Sequence, residues 1–185
     1  MDTELLRRVV AALDSAGIAH MVTGSFASTL HGEPRATRDI DIVIDPEGSS
    51  LDVLVEAFPT DRFYVGDVAA ALAKRDMFNI IDTRSGWKVD LIVRRDRPFS
   101  RAEFDRRQPA TIAGVATFVT TVEDAILSKL EWQSITPSDL QRRDVVAMMI
   151  ANVERLDRSY LQRWADELGV RSVLDELWES AVAER

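Results

Sequence analysis

The sequence predicts an α/β protein of the α+β kind, with a mixed β-sheet core, flanking helices and a helical C-terminal region. Over the first 120 residues, short β-branched runs alternate with amphipathic helical segments. Beyond residue 120 the pattern is almost entirely helical, with breaks near residues 137, 157 and 169. We therefore predict an α/β core over residues 1–120 and a helical region over residues 121–185, packed on that core.

Composition and charge narrow the class of protein. The chain has 185 residues, of which 46% are hydrophobic and 29% are charged, as in ordinary soluble domains. It has no cysteine, which excludes disulfides and cysteine-ligated zinc. No apolar run approaches the roughly 18 residues that a membrane helix needs, so we expect no membrane partner and a cytoplasmic location. The net charge of −8 gives no overall attraction to nucleic acid.

The first candidate site is a glycine and a serine between a strand and a helix. Residues 4–16 have the spacing of an amphipathic helix, and residues 18–23 are typical of a short buried strand. Gly24 and Ser25 follow, and residues 26–31 favour a helix. Such a turn offers backbone N–H groups, a hydroxyl and a positive helix end, all of which favour a phosphate. A plain glycine turn with a serine helix cap is the alternative.

The second candidate site is a pair of aspartates at the start of a strand. The run 39–44 alternates Asp39 and Asp41 with β-branched residues, which predicts a strand. Residues i and i+2 of a strand project from the same face, so both carboxylates can converge on one hard cation such as Mg²⁺. The alternative is an exposed strand edge with no ligand.

A third carboxylate lies on a later strand. Residues 77–82 and 88–93 are predicted strands joined by a turn at 84–86, and Asp90 lies inside the second. Asp90 can complete a two-metal site or accept a proton from an attacking hydroxyl, although a strand-end aspartate that caps a turn is equally consistent. Further helices are predicted over about 50–58, 67–74 and 100–107, with a strand or hairpin over 110–120 that turns at Gly114.

Together these motifs resemble the DNA polymerase beta-like nucleotidyltransferase superfamily. The pattern is a hydrophobic strand, Gly-Ser, a helix, Asp-x-Asp and then a lone strand aspartate. Residues 23–32 and 35–41, with the helical segments 121–130 and 142–144, look like its small bacterial branch, which includes AbiE-type toxins and minimal nucleotidyltransferases. The resemblance covers roughly residues 5–150. Phe26 departs from the pattern, because many members carry a further small residue there.

The resemblance implies a role for each matching residue. Asp39, Asp41 and Asp90 would be the catalytic carboxylates that bind Mg²⁺, with Mn²⁺ as the alternative metal. The nucleotide would be bound by four residues: Gly24, Ser25, Arg38 and Lys129. Arg35 also flanks the acids, and either arginine could neutralise phosphate charge or pair with Asp39.

The function implied is Mg²⁺-dependent transfer of a nucleoside monophosphate from an NTP such as ATP to a hydroxyl of a protein or tRNA acceptor, with release of pyrophosphate. A setting in a toxin–antitoxin or defence system, with a cognate toxin or antitoxin as partner, follows from the same resemblance. The alternative function is a catalytically weak binding module that acts as an antitoxin or regulatory partner. A mixed domain with a purely structural acidic cluster is the third hypothesis. The sequence leaves the acceptor, the base of the NTP and the oligomeric state open.

Overall fold

The computed structural model describes residues 2–33, 37, 39–48 and 50–183, and within this part seven strands form one mixed sheet. The strands are β1 (Ala19–Thr23), β2 (Asp39–Asp45), β3 (Phe63–Val65), β4 (Met77–Asp82), β5 (Lys88–Val93), β6 (Gln108–Ile112) and β7 (Val115–Val119). Their order across the sheet is β3-β4-β5-β2-β1-β7-β6. The β2–β5 and β1–β7 pairs are parallel and the others are antiparallel.

Helices account for most of the remaining chain that the structure describes. They are α1 (Thr3–Ser15), α2 (Gly24–His31), α3 (Ser50–Glu56), α4 (Val68–Lys74), α5 (Pro98–Asp105), α6 (Val122–Ile135), α7 (Asp139–Asn152), α8 (Arg158–Leu168) and α9 (Arg171–Ala183). None of them is long and apolar enough to cross a membrane, within the residues described.

The chain forms two compact units. The first comprises residues 1–25 and 36–119 and holds the whole sheet. The second comprises residues 26–35 and 120–185, and therefore includes most of α2 with the four C-terminal helices. The predicted domain boundary at residue 120, between an α/β core and a helical region, stays a prediction.

The predicted fold class is confirmed, and most predicted elements are present. The strands over 77–82 and 88–93 have the predicted bounds, and residues 108–119 form the predicted hairpin around Gly114. The short strand β3 was missed, because three residues are too few to show a periodicity. The helix expected at residue 26 begins two residues earlier, at Gly24, so the Gly-Ser pair belongs to its first turn.

A buried ion pair joins the turn before β3 to the end of β4. Asp82 is fully buried and accepts hydrogen bonds from the Arg62 guanidinium at 2.8 and 3.2 Å and from the Arg84 N–H at 2.9 Å. The hydrogen bond from Arg62 is the main reason that the pKa of Asp82 falls from its ordinary 3.8 to about 2. Ionised Asp82 therefore stabilises the fold above pH 4, and this contribution is lost as the pH falls from about 4 towards 2.

We expect Asp82→Asn to lower the free energy of unfolding by about 2 kcal/mol at pH 7, since one pKa unit corresponds to about 1.4 kcal/mol. The difference from wild type should shrink below pH 4 and vanish near pH 2. Urea denaturation at several pH values measures it. A difference that stays constant from pH 7 to pH 2.5 would show that the ionised form of Asp82 does not carry the effect.

Candidate active site

Two central strands place the acidic residues on one face of the sheet. Along β2 and β5 every second residue is an almost fully buried aliphatic one that points to the opposite face. These residues are Ile40, Ile42, Ile44, Val89, Leu91 and Val93. Because burial of this set fixes which way each strand faces, Asp39 and Asp41 on β2 must share the other face with Lys88 and Asp90 on β5.

The strand register brings two of the three predicted carboxylates side by side. Asp41 is the partner of Asp90 across the parallel β2–β5 pair, and neighbouring strands lie about 4.8 Å apart. The same row continues to Thr23 on β1 and to Asn79 on β4. A polar row of four residues therefore crosses the middle of the sheet, with the Asp41–Asp90 pair at its centre.

Asp90 is the most deeply placed acid of this row. Its exposed fraction is only 4%, and one of its carboxylate oxygens, Oδ1, is buried with no hydrogen-bond partner. A buried polar group left without a partner costs about 1–3 kcal/mol. A cation or a hydroxyl donor beside Oδ1 would remove this cost, so the atom is suited to bind a ligand.

Asp39 lies at the open end of the same face, and a lysine lies between it and Asp90. Asp39 pairs in register with Lys88, and its side chain is 57% exposed. The Lys88 ammonium lies 2.7 Å from Asp90 Oδ2 and 3.8 Å from Asp39 Oδ1. The hydrogen bond to Asp90 is the main cause that raises the pKa of Lys88. Lys88 was not predicted as a site residue. Its position two residues before Asp90 in a strand puts it on the same face as Asp90, and the sequence contains this information.

Gly24 brings the start of α2 against Asp41. Its φ is +61°, and a Cβ atom added to it would lie 2.6 Å from Cγ and 2.8 Å from Cβ of Asp41. Only glycine combines this conformation with such a close approach. Since the first N–H groups of a helix have no partner within the helix, this contact puts a positive helix end, with Ser25 in its first turn, beside an acid of the row.

Helix α5 bounds the polar row on the side away from Asp39. Its Phe104 packs on Met21, Val43 and Ile92, which lie on the same face one step further along the strands. Asp45 then pairs with Arg94, whose Nε lies 2.9 Å from Asp45 Oδ2. The acidic face is therefore closed by apolar packing at one end, whereas its other end is at the exposed Asp39.

The donor set at this face suits a hard cation. Mg²⁺ takes oxygen ligands and is commonly held by one or two carboxylates together with substrate phosphates. Asp41 and the free oxygen of Asp90 supply such ligands, so the residues present fit the metal that the resemblance implies. Within the described residues no group of three or more His, Cys, Asp or Glu side chains is arranged to hold a metal ion. Lys88 lies between Asp39 and the other two acids.

Two further residues, Arg38 and Lys129, are predicted to bind the nucleotide. Arg38, like Arg35, falls outside the described residues. Lys129 lies on α6 in the second compact unit, with an exposed fraction of 5%, and donates to Asp144 Oδ2 at 2.9 Å and to Gln141 Oε1 at 2.7 Å. Contact of either residue with a nucleotide stays a prediction.

We expect Lys129→Met to destabilise the protein by about 3 kcal/mol, because it leaves the buried Asp144 carboxylate without the ammonium that it accepts from. Urea denaturation without nucleotide measures this, with the exposed Lys74→Met as the matched control. If both variants unfold at the wild-type midpoint, the ammonium of Lys129 has no structural role.

Comparison with known proteins gives matches among solved structures. No family model and no curated protein matches the chain. Among solved structures, the solution structure of the antibiotic-resistance factor ANT(2'')-Ia matches with a TM-score of 0.59 at 16% identity, over 100% of this chain and 98% of that one. A nucleotidyltransferase-like antigenic protein of Paracoccidioides brasiliensis matches with a TM-score of 0.55 at 19% identity, over 95% of this chain and 91% of that one. The lincosamide antibiotic adenylyltransferase LnuA, bound to lincomycin, matches with a TM-score of 0.55 at 10% identity, over 80% of this chain and 96% of that one.

The fold is therefore that of the nucleotidyltransferases. The structural neighbours are nucleotidyltransferases or resemble them, and the likeness is one of fold. Membership of the polymerase beta-like superfamily stays a prediction. The narrower likeness to the AbiE-type branch stays a prediction.

Proposed function

We propose that this chain is a Mg²⁺-dependent nucleotidyltransferase that transfers a nucleoside monophosphate from an NTP to an acceptor hydroxyl. The observation that carries the proposal is the pairing of Asp41 with Asp90, beside a helix start that only Gly24 allows. Acids that bind a metal and a helix end that binds phosphate are the two parts that a triphosphate site needs.

Each residue of the proposed site has its own role in the transfer. The first turn of α2, with the Ser25 hydroxyl, binds and orients the triphosphate. Asp39, Asp41 and Asp90 would hold the metal. Bound Mg²⁺ supplies neutralisation of the charge that develops on the phosphate oxygens. The acceptor oxygen forms a bond to the α-phosphorus as the bond to pyrophosphate breaks, and Asp90 accepts the proton of the acceptor hydroxyl. Phe104 and its apolar neighbours exclude water from the closed end of the face.

The acceptor belongs to one of two classes. A protein or tRNA hydroxyl, in a toxin–antitoxin or defence setting, is the class that the resemblance to the small bacterial branch favours. A cationic small molecule is the second class. It is favoured by the net charge of −8 and by the likeness in fold to ANT(2'')-Ia, one of whose structures holds adenylyl-2''-tobramycin.

Two measurements test the proposal. Thermal unfolding with each of the four NTPs, with and without Mg²⁺, should show a metal-dependent rise in Tm for at least one NTP, because a ligand bound only by the folded state stabilises it. Pyrophosphate release should then be measured with tobramycin, lincomycin, bulk tRNA and a bacterial protein extract as acceptors. The double variant Asp39→Asn/Asp41→Asn should lose both signals.

The outcomes separate the functions. A Tm rise with pyrophosphate release on any acceptor supports the transferase and identifies the acceptor class. A Tm rise without release on any acceptor favours the binding module. No Tm rise with any NTP contradicts both of them and leaves the structural acidic cluster.

A further inference from the structure

The ammonium of Lys88 lies among the carboxylates of the acidic face. It lies within 3.8 Å of two carboxylates, Asp39 and Asp90, that come from different strands. The third acid, Asp41, is the residue that follows Asp39 on the same face and the partner of Asp90 in the register. A single positive charge is thus set among the three acids that the proposed function assigns to the metal.

The electrostatic consequence concerns the protein before metal binds. Three carboxylates on one face of two adjacent strands repel each other, and like charges on neighbouring strands are destabilising. The Lys88 ammonium offsets this repulsion as a divalent cation would. Its contacts to Asp39 and Asp90 also hold these two side chains turned towards one point.

Lys88 is placed so that it can leave this position. Its side chain is 32% exposed, whereas the side chain of Asp90 is only 6% exposed. A long lysine stem keeps its apolar part on the protein surface while the ammonium reaches water. Asp90 is therefore held in place by burial, and the Lys88 ammonium beside it is the part that can move.

We propose that Lys88 is an internal counter-ion that holds the carboxylates in place of the metal and is displaced when a divalent cation binds. The inference rests on the proposed function, because it assumes that Asp39, Asp41 and Asp90 are the metal-binding acids. Lys88 is on this view a positioning residue. It keeps the acid face ordered without metal and weakens metal binding by competing for Asp39 and Asp90.

The first test is the affinity for Mn²⁺, measured by the paramagnetic resonance signal of the free ion with no nucleotide present. Lys88→Met should bind Mn²⁺ about tenfold more tightly or better, since a competitor that holds the site nine-tenths of the time weakens the apparent affinity tenfold. Lys88→Arg keeps a cation and should stay near wild type. Arg94→Met, which removes an ion pair between β2 and the segment after β5, is the matched control and should not change the affinity.

The second test uses the wild-type chain and needs no variant to fold. Acetylation of Lys88 by a limiting amount of acetic anhydride, followed by mass spectrometry, should become several-fold faster when Mn²⁺ is added, because the ammonium is released to solvent. The exposed Lys74 is the internal reference and should react at an unchanged rate. Where Lys88→Met does not fold, Lys88→Gln replaces it in the binding measurement.

The outcomes distinguish this inference from the proposed function. If wild type binds Mn²⁺ and Asp41→Asn does not, but Lys88→Met binds no more tightly, the metal site stands and the counter-ion role of Lys88 is overturned. If neither wild type nor Lys88→Met binds Mn²⁺, the metal site itself fails and this inference fails with it. Binding by Lys88→Met alone, or more tightly than by wild type, supports the displacement.

Discussion

Asp90→Asn is expected to lower the rate of pyrophosphate release by about 10³-fold or more while the NTP still raises Tm. The amide has the shape of the carboxylate but cannot take a proton from the acceptor hydroxyl, and loss of a general base alone costs about 10²–10⁴-fold. It also weakens one oxygen ligand of the proposed metal site, which adds to the loss. Since the phosphate contacts proposed for the first turn of α2 remain, nucleotide binding should fall far less than turnover.

The matched control is Asp82→Asn. Asp82 is also a buried aspartate, on the strand next to β5, but the alternation along β4 turns it to the opposite face, where Arg62 holds it. Assayed well below its unfolding temperature, this variant should keep wild-type turnover. An equal loss of activity in both variants would mean that stability, and not the chemistry of Asp90, limits the rate.

The sequence is most informative where burial fixes the face of a strand. The alternation of Asp39 and Asp41 with isoleucines predicts both the strand and its acidic face, and the run around Asp90 does the same for β5. That the two strands are neighbours, with Asp41 opposite Asp90, depends on the order of the sheet. Local patterns do not determine that order, because the two strands are separated along the chain by two helices and two other strands.

The sequence does not show which side chains contact each other across the fold. The sequence predicts only that Lys88 lies in a strand, whereas in the structure its ammonium lies between Asp39 and Asp90. Lys129, which the resemblance assigns to a nucleotide, donates to Asp144, fifteen residues further along the chain. In both cases the residue type indicates a cation, but only the structure names the carboxylate that it contacts.

Gly24→Ala, which adds one methyl group to this site, is expected to lower both the stability of the protein and its turnover. The φ of +61° is a left-handed conformation that costs an L-residue about 1–2 kcal/mol. The new Cβ would also lie less than 3 Å from the Asp41 side chain, and such overpacking typically costs a further 1–3 kcal/mol. Because the clash falls on a proposed metal ligand, Asp41 must move, and turnover should fall by at least about 10²-fold, as positioning errors of about 1 Å do.

Gly17→Ala separates the two causes. Gly17 has a φ of +65°, close to that of Gly24, but nothing lies within 4 Å of the Cβ that alanine would add. It should therefore show only the conformational cost of about 1–2 kcal/mol in urea denaturation and keep wild-type turnover. The difference between the two variants measures what the contact with Asp41 requires. If Gly24→Ala is no less stable than Gly17→Ala and binds Mn²⁺ and NTP normally, the close approach of α2 to Asp41 does not shape the site.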